Sequence, residues 1–242
     1  MQKTVLITGA SGGIGAACAR EFARAGYSLA LHYHTGEARA AALREELLLA
    51  GADAEIFPAD LSREGEVNAL FDAVEARLGP VTVLVNNAGL SWRGLFTDMS
   101  LADWDRLLGV DLTGVFLCCR RALGPMLRAH AGSIVNVASI WGEVGASCEA
   151  AYSAAKAGVI GLTKALAKEE GPAGVRVNCV SPGVIATPMN ASLSPEDLAA
   201  LAQDTPLERV GTPEEVAQAV RFLAEHPFIT GQVLDVSGGF VI

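Results

Sequence analysis

Short, nearly uniform apolar runs alternate along the chain with longer stretches whose apolar residues recur at helical spacing. The runs at residues 4–8, 28–33, 54–57, 81–85, 133–138, 176–180 and 232–236 read as strands. Residues 14–25, 37–50, 64–78, 101–128, 150–170 and 213–224, which lie between them, read as helices. Strands that are apolar on both faces and separated by helices predict an α/β, doubly wound parallel sheet with helices on both faces. No linker, low-complexity tract or internal repeat interrupts the alternation, so residues 1–242 read as a single domain. One stretch departs from it. At 190–207, where Ser194-Pro195-Glu196-Asp197 opens a short helix, the chain inserts extra residues after the sixth strand. Ligands of such sheets bind at the strands' carboxyl ends, so this insertion is placed to act as a small substrate lid over about 186–210.

Hydrophobic residues make up 51% of the 242 positions and charged ones 19%, enough for one large core. The net charge of −9 argues against a general nucleic-acid or anionic-membrane surface. No run reaches the length needed to span a bilayer. The N-terminal segment reads as a strand and lacks the apolar length and small-residue cleavage site of a signal peptide. Five cysteines without metal-type spacing suggest free thiols in a reducing compartment, hence a cytoplasmic protein without a metal site.

Two segments carry candidate chemistry. Thr8-Gly9-Ala10-Ser11-Gly12-Gly13-Ile14-Gly15 follows the first strand and opens the first helix. Glycines there permit a tight turn and let the backbone approach a pyrophosphate at the helix N-terminus, so Gly9, Ser11, Gly13, Ile14 and Gly15 are candidate dinucleotide-binding residues. Further along, Tyr152 and Lys156 lie four apart on a predicted helix and share one face, and Ser139 ends an apolar run that could deliver a hydroxyl to them. A phenol and an ammonium ~4 Å apart, at an effective dielectric of ~20, interact by ~4 kcal/mol, or ~3 pKa units. That predicts a tyrosine titrating near ~7, where general acid–base catalysis is most effective.

Together with Asn86-Asn87-Ala88-Gly89 and Pro182-Gly183, the Thr-Gly-x-x-x-Gly-x-Gly turn, Ser139 and Tyr152-x-x-x-Lys156 resemble the short-chain dehydrogenase/reductase family from end to end. The resemblance implies a Rossmann-type fold of seven parallel strands, a nicotinamide cofactor and a homotetramer. It implies that Asp60 and Leu61 lie beside the adenine and that Asn87, Ala88 and Gly89 border its ribose. Pro182, Gly183, Ile185 and Thr187 would then meet the nicotinamide end. Tyr152 would protonate the carbonyl oxygen, Ser139 would orient it, and Lys156 would hold the nicotinamide ribose and depress the Tyr152 pKa. Relatives carry an asparagine in a local Asn-x-x-Gly context on the fourth helix; here Asp111 stands there, in Asp111-Leu112-Thr113-Gly114. A carboxylate near Lys156 predicts a shifted pH–rate profile. At the end of the second strand no carboxylate precedes Glu37, whereas His34, Thr35, Ser11 and Arg39 could hold a phosphate, so NADP(H) is favoured over NAD(H).

In length and motif set the chain most resembles 3-oxoacyl-[acyl-carrier-protein] reductases, which implies reduction of a ketone carried on a small molecule, a carrier or a protein. An acidic carrier would need a basic patch, for which Arg128, His130 and Arg176 are candidates. Glu143 and Glu149, between Ser139 and Tyr152, could instead pair with a cationic substrate. The segments 139–149 and 238–242 resemble reductases acting on the 5-aminopentanone group on a lysine of elongation factor P. A third reading, of another class, is a non-catalytic NADP-binding regulatory protein. The tail Phe240-Val241-Ile242 is apolar and could pack against a neighbouring subunit.

Overall fold

A computed structural model describes residues 3–191 and 193–241. Seven parallel strands run in the order β3-β2-β1-β4-β5-β6-β7. They are β1 (Thr4–Ile7), β2 (Ser28–Tyr33), β3 (Ala54–Pro58), β4 (Val81–Asn86), β5 (Gly132–Val137), β6 (Val175–Pro182) and β7 (Val233–Val236). The helices are α1 (Gly13–Arg24), α2 (Glu37–Leu49), α3 (Glu64–Leu78), α4 (Leu101–Leu108), α5 (Val115–Ala129), α6 (Trp141–Val144), α7 (Ala150–Glu170), α8 (Pro195–Gln203) and α9 (Pro213–Glu225).

The central strands are apolar on both faces because both faces are covered: Val5, Leu6 and Ile7 have no exposed surface. One core holds Val5 and Ile7 with Ala16, Ala17 and Phe22 of α1 and Val216 and Val220 of α9. The opposite core holds Leu6 and Leu84 with Phe71 of α3, Cys118 of α5 and Val159 of α7. Strand β1 pairs with both β2 and β4, so the strand order reverses there and a crevice opens at the carboxyl ends.

One expectation changes, and two features are added to it. The helix expected over 101–128 is two α-helices joined by a wider π turn, Gly109–Gly114, which carries Asp111. The turn accommodates one fully buried carboxylate that the local apolar pattern does not reveal. A short helix, α6, forms directly after Ser139, where none was expected. Phe240 packs on Trp141 of its own chain, their rings 5.5 Å apart and nearly perpendicular, while Ile242 lies outside the described residues. In the inserted segment, Ser194 and Asp197 cap α8 reciprocally, as the Ser-Pro-Glu-Asp sequence anticipates. Among the described residues no helix is long and apolar enough to cross a membrane.

Candidate active site

The turn after β1 must be glycine at two positions. Gly9 takes φ +65°, and a Cβ there would sit 2.9 Å from the Ala88 Cα. A Cβ on Gly15 would sit 2.3 Å from the Gly9 carbonyl oxygen, so α1 could not approach the turn. The turn is tied to the end of β4. Thr8 Oγ1 accepts from the backbone N–H groups of Asn87 (2.9 Å) and Ala88 (3.0 Å), and Asn87 Nδ2 donates to the carbonyls of Thr8 (3.0 Å) and Gly9 (3.2 Å).

His32, which sequence reasoning passed over, holds the same turn from β2. Its Nδ1 accepts from the Gly9 N–H at 3.1 Å, so its Nε2 is the protonated nitrogen and donates to the Ala59 carbonyl at 3.0 Å. The one available signal was a polar residue at the penultimate position of an apolar strand. Burial drives its pKa down to about 4 from 6.5. A depressed folded-state pKa means that the unfolded chain binds the proton first. The stability contribution is therefore present above pH 6.5 and is lost as pH falls towards 4, by about 3 kcal/mol in all. Denaturation midpoints measured across that window should fall more steeply for the wild type than for His32→Gln; parallel curves would refute the assignment.

The crevice leads into one cavity of about 760 Å³. Gly9, Ser11, Gly13 and Ile14 line its middle, beside the N-terminus of α1. One end is lined by His34, Thr35, Arg39, Asp60 and Leu61, and the middle is closed opposite the turn by Asn87, Ala88 and Gly89. Ser139, Tyr152 and Lys156 line it as well, as do Pro182, Gly183, Ile185 and Thr187, and Thr187 comes up against Gly13 of the turn. Gly15 lies behind the turn, outside the lining. A long cavity crossed at its middle by glycine backbone and a helix N-terminus fits an extended dinucleotide.

At the inner end, the Lys156 ammonium lies 5.3 Å from the Tyr152 ring centroid and donates to the Val137 carbonyl at 3.3 Å. Behind it, Asp111 Oδ2 stands 3.2 Å from the ammonium, while its Oδ1 accepts from the Leu90 N–H at 2.7 Å. The Lys156 side chain is 4% exposed and that of Asp111 0%. Gly89 makes room for this pair, since a Cβ there would come within 2.8 Å of Asp111 Oδ2. Burial opposes the lysine's charge, but Asp111 and Tyr152 together outweigh it and leave the ammonium above its ordinary pKa. Burial raises the Asp111 carboxyl, with Lys156 opposing.

Tyr152 corrects the expectation of a phenol near neutrality. Burial pushes its pKa up, Lys156 pulls it down, and Asp111 cancels part of that pull, leaving the phenol above its usual value. Ser139 hydrogen-bonds the phenol and also accepts from the Trp141 N–H at 3.2 Å.

The two loop carboxylates part company. Glu149 lines the cavity, faces Arg93 at 3.8 Å and is raised by burial. Glu143 does not line it: the carboxylate turns away to accept from Ser181 and to face Asp235 of β7. The basic patch also falls apart. Arg128 and His130 sit at the end of α5 just before β5 begins, at the sheet's opposite end from the cavity, and Arg176 donates to the Leu223 and Ala224 carbonyls at the end of α9. Besides Arg39, the arginines at the cavity are Arg93 and Arg106. Among the described residues no group of three or more His, Cys, Asp or Glu side chains could hold a metal ion.

Comparison with known proteins agrees with this geometry. Residues 9–241 match the family described as Enoyl-(Acyl carrier protein) reductase. A 3-oxoacyl-[acyl-carrier-protein] reductase of Synechocystis is 42% identical over 243 residues, covering 99% of this chain and 97% of its own length. An uncharacterized oxidoreductase, YmfI, of Bacillus subtilis is 41% identical, covering 99% of both chains. The crystal structure of a putative gluconate dehydrogenase from Agrobacterium tumefaciens superposes with a TM-score of 0.95 at 34% identity, covering 99% of this chain and 97% of that one. With the glycine turn, the cavity and the Ser139–Tyr152–Lys156 wall in place, the chain belongs to the short-chain dehydrogenase/reductase family, as an NAD(P)-dependent oxidoreductase of the 3-oxoacyl-[acyl-carrier-protein] reductase-like kind.

Proposed function

We propose that the chain uses NADPH to reduce a 3-oxoacyl thioester carried on acyl carrier protein to the secondary alcohol. The nicotinamide supplies a hydride when bound. Ser139 orients the substrate carbonyl by a hydrogen bond, and Tyr152 gives its proton to the carbonyl oxygen. Lys156 binds the cofactor's ribose hydroxyls and lowers the cost of the phenolate left behind. Asp60 and Leu61 flank the adenine, Asn87 to Gly89 the adjoining ribose, and Pro182, Gly183, Ile185 and Thr187 the nicotinamide. Residues 186–210 close over the substrate within a single catalytic domain, 1–242. The observation that carries this reading is the meeting of Ser139, Tyr152 and Lys156 on one wall of the cavity that the glycine turn also lines. An NADPH-oxidation screen over 3-oxoacyl thioesters, simple ketones and aminoketones tests it. Binding of NADPH with no turnover of any ketone would favour the regulatory reading instead.

The cofactor preference rests on one corner of the cavity. A Cβ on Gly36 would lie 2.6 Å from Ser11 Oγ and 3.0 Å from Arg39 Nη2, so these groups converge where His34 and Thr35 follow β2. Arg39 Nε also donates to the Ser11 carbonyl at 3.3 Å. A guanidinium and two hydroxyls there suit a 2′-phosphate. Arg39→Ala should weaken NADPH by about tenfold, roughly 1.4 kcal/mol, and leave NADH unchanged. Tighter binding of NADH than NADPH by the wild type would contradict the preference.

Glu149 favours a second reading, in which the ketone carries an ammonium, as in the 5-aminopentanone group on elongation factor P. Only Glu149 of the two loop glutamates supports it. Thioester turnover that survives Glu149→Gln, with no rate on aminoketones, removes it. Exposed Leu101 and Phe116 on α4 and α5, and Phe222 on α9, support a homotetramer, which light scattering tests.

A further inference from the structure

We propose that Trp141 is the wall that decides how large an acyl or alkyl group the active site accepts, and that Phe240 positions it. This deepens the ketoreductase reading and rests on it. Trp141 lines the cavity, and its backbone N–H donates to the Ser139 hydroxyl, so movement of α6 changes both the wall and the carbonyl-orienting group.

Two contacts decide where α6 lies. On one side its backbone rests on α7: a Cβ on Gly142 would come within 2.7 Å of the Lys156 carbonyl carbon and 2.8 Å of the Ala157 nitrogen. The Lys156 Cβ would be as near, at 2.8 Å, so α6 cannot move closer to the helix that carries Tyr152. On the other side the only aromatic partner recorded for Trp141 among the described residues is Phe240, edge-on at 5.5 Å and 89°. Phe240 itself does not line the cavity.

The segment that delivers Phe240 is shaped for the purpose. Gly238 and Gly239 take φ +65° and +87°, and side chains there would strike Thr205 Cγ2 at 2.7 Å and Pro206 Cγ at 3.0 Å. Leu207 N–H donates to the Gly238 carbonyl at 3.2 Å. The segment after β7 therefore passes directly along the base of α8 before reaching Trp141. It joins α6 and the inserted segment through one chain of contacts. Phe240 acts through Trp141 and is a positioning residue.

The test uses the full chain as wild type, Trp141→Val, Phe240→Ala, Phe240→Tyr and the Trp141→Val/Phe240→Ala double variant. The readout is kcat/KM for 3-oxoacyl thioesters of increasing acyl length. Trp141→Val should raise the long-to-short ratio about tenfold or more, since each methylene admitted to a pocket is worth roughly that factor. Phe240→Ala should move it the same way by less, the double variant no further than Trp141→Val, and Phe240→Tyr should keep the wild-type ratio. NADPH affinity should not change. An unchanged ratio in Trp141→Val, or additive effects in the double variant, overturns the proposal. Hydrogen exchange supplies a substrate-free readout. The amides of Gly142, Glu143 and Gly145, which donate to the carbonyls of Ser139, Ile140 and Trp141, should exchange faster in Phe240→Ala. If the wild type reduces no thioester, the substrate reading fails, while unchanged exchange in this segment rejects the positioning role.

Discussion

Tyr152→Phe is expected to lower kcat by about two to four orders of magnitude while leaving NADPH affinity within about twofold. The phenol is the only acidic hydroxyl beside Ser139 on the wall where the carbonyl is proposed to sit, and phenylalanine keeps the ring, its packing and the Lys156 contact. What is lost is the proton donor. Ser139 would not replace it, because an aliphatic hydroxyl is a far weaker acid than a phenol. Stopped-flow NADPH oxidation with a turned-over ketone, together with fluorescence titration of NADPH, separates the two effects. A variant that keeps more than about a tenth of wild-type kcat would show that the proton comes from elsewhere.

The second large effect lies behind the lysine. Asp111→Ala should cost about 3–5 kcal/mol of stability, because it leaves the Lys156 ammonium buried without its counter-ion. It also strips the Leu90 N–H of its acceptor. Asp111→Asn keeps that hydrogen bond and removes only the charge, so it should fold and shift the chemistry instead. The Asp111 charge raises the pKa of Tyr152, so its removal lowers that pKa. Reduction needs the protonated phenol, and the falling limb of its pH–rate profile should move to lower pH. Oxidation of the alcohol needs the phenolate, and its rising limb should move to lower pH as well. Superimposable profiles for wild type and Asp111→Asn would mean that the carboxylate does not act on Tyr152.

Much of this was legible before any coordinates. The strands are buried on both faces, so their residues are uniformly apolar and stand out, and the glycine turn is a local device whose spacing is its function. Ser139, Tyr152 and Lys156 were legible for a different reason: two lie one helical turn apart, and the third ends an apolar run just beyond a strand that leads to the same crevice. The split of the helix expected over 101–128 was not legible, because a π turn alters the hydrogen-bond register without altering the apolar period. The direction of Glu143 was hidden as well. The four-residue helix α6 presents it to Ser181 and Asp235, and after the turn at Gly145, with φ +75°, Glu149 faces the cavity instead.

By itself, the amino-acid sequence determined the alternating strand–helix order, the parallel sheet, the dinucleotide turn and the residues available for proton transfer. These follow from periodicity and from contacts within a helical turn. Only the tertiary structure decided which charges matter and where they act. It buried Asp111 behind Lys156, brought His32 under Gly9, moved Arg128 and His130 to the far end of the sheet, and set Phe240 against Trp141. Desolvation and long-range packing produce those effects, and both depend on which distant residue arrives as a neighbour.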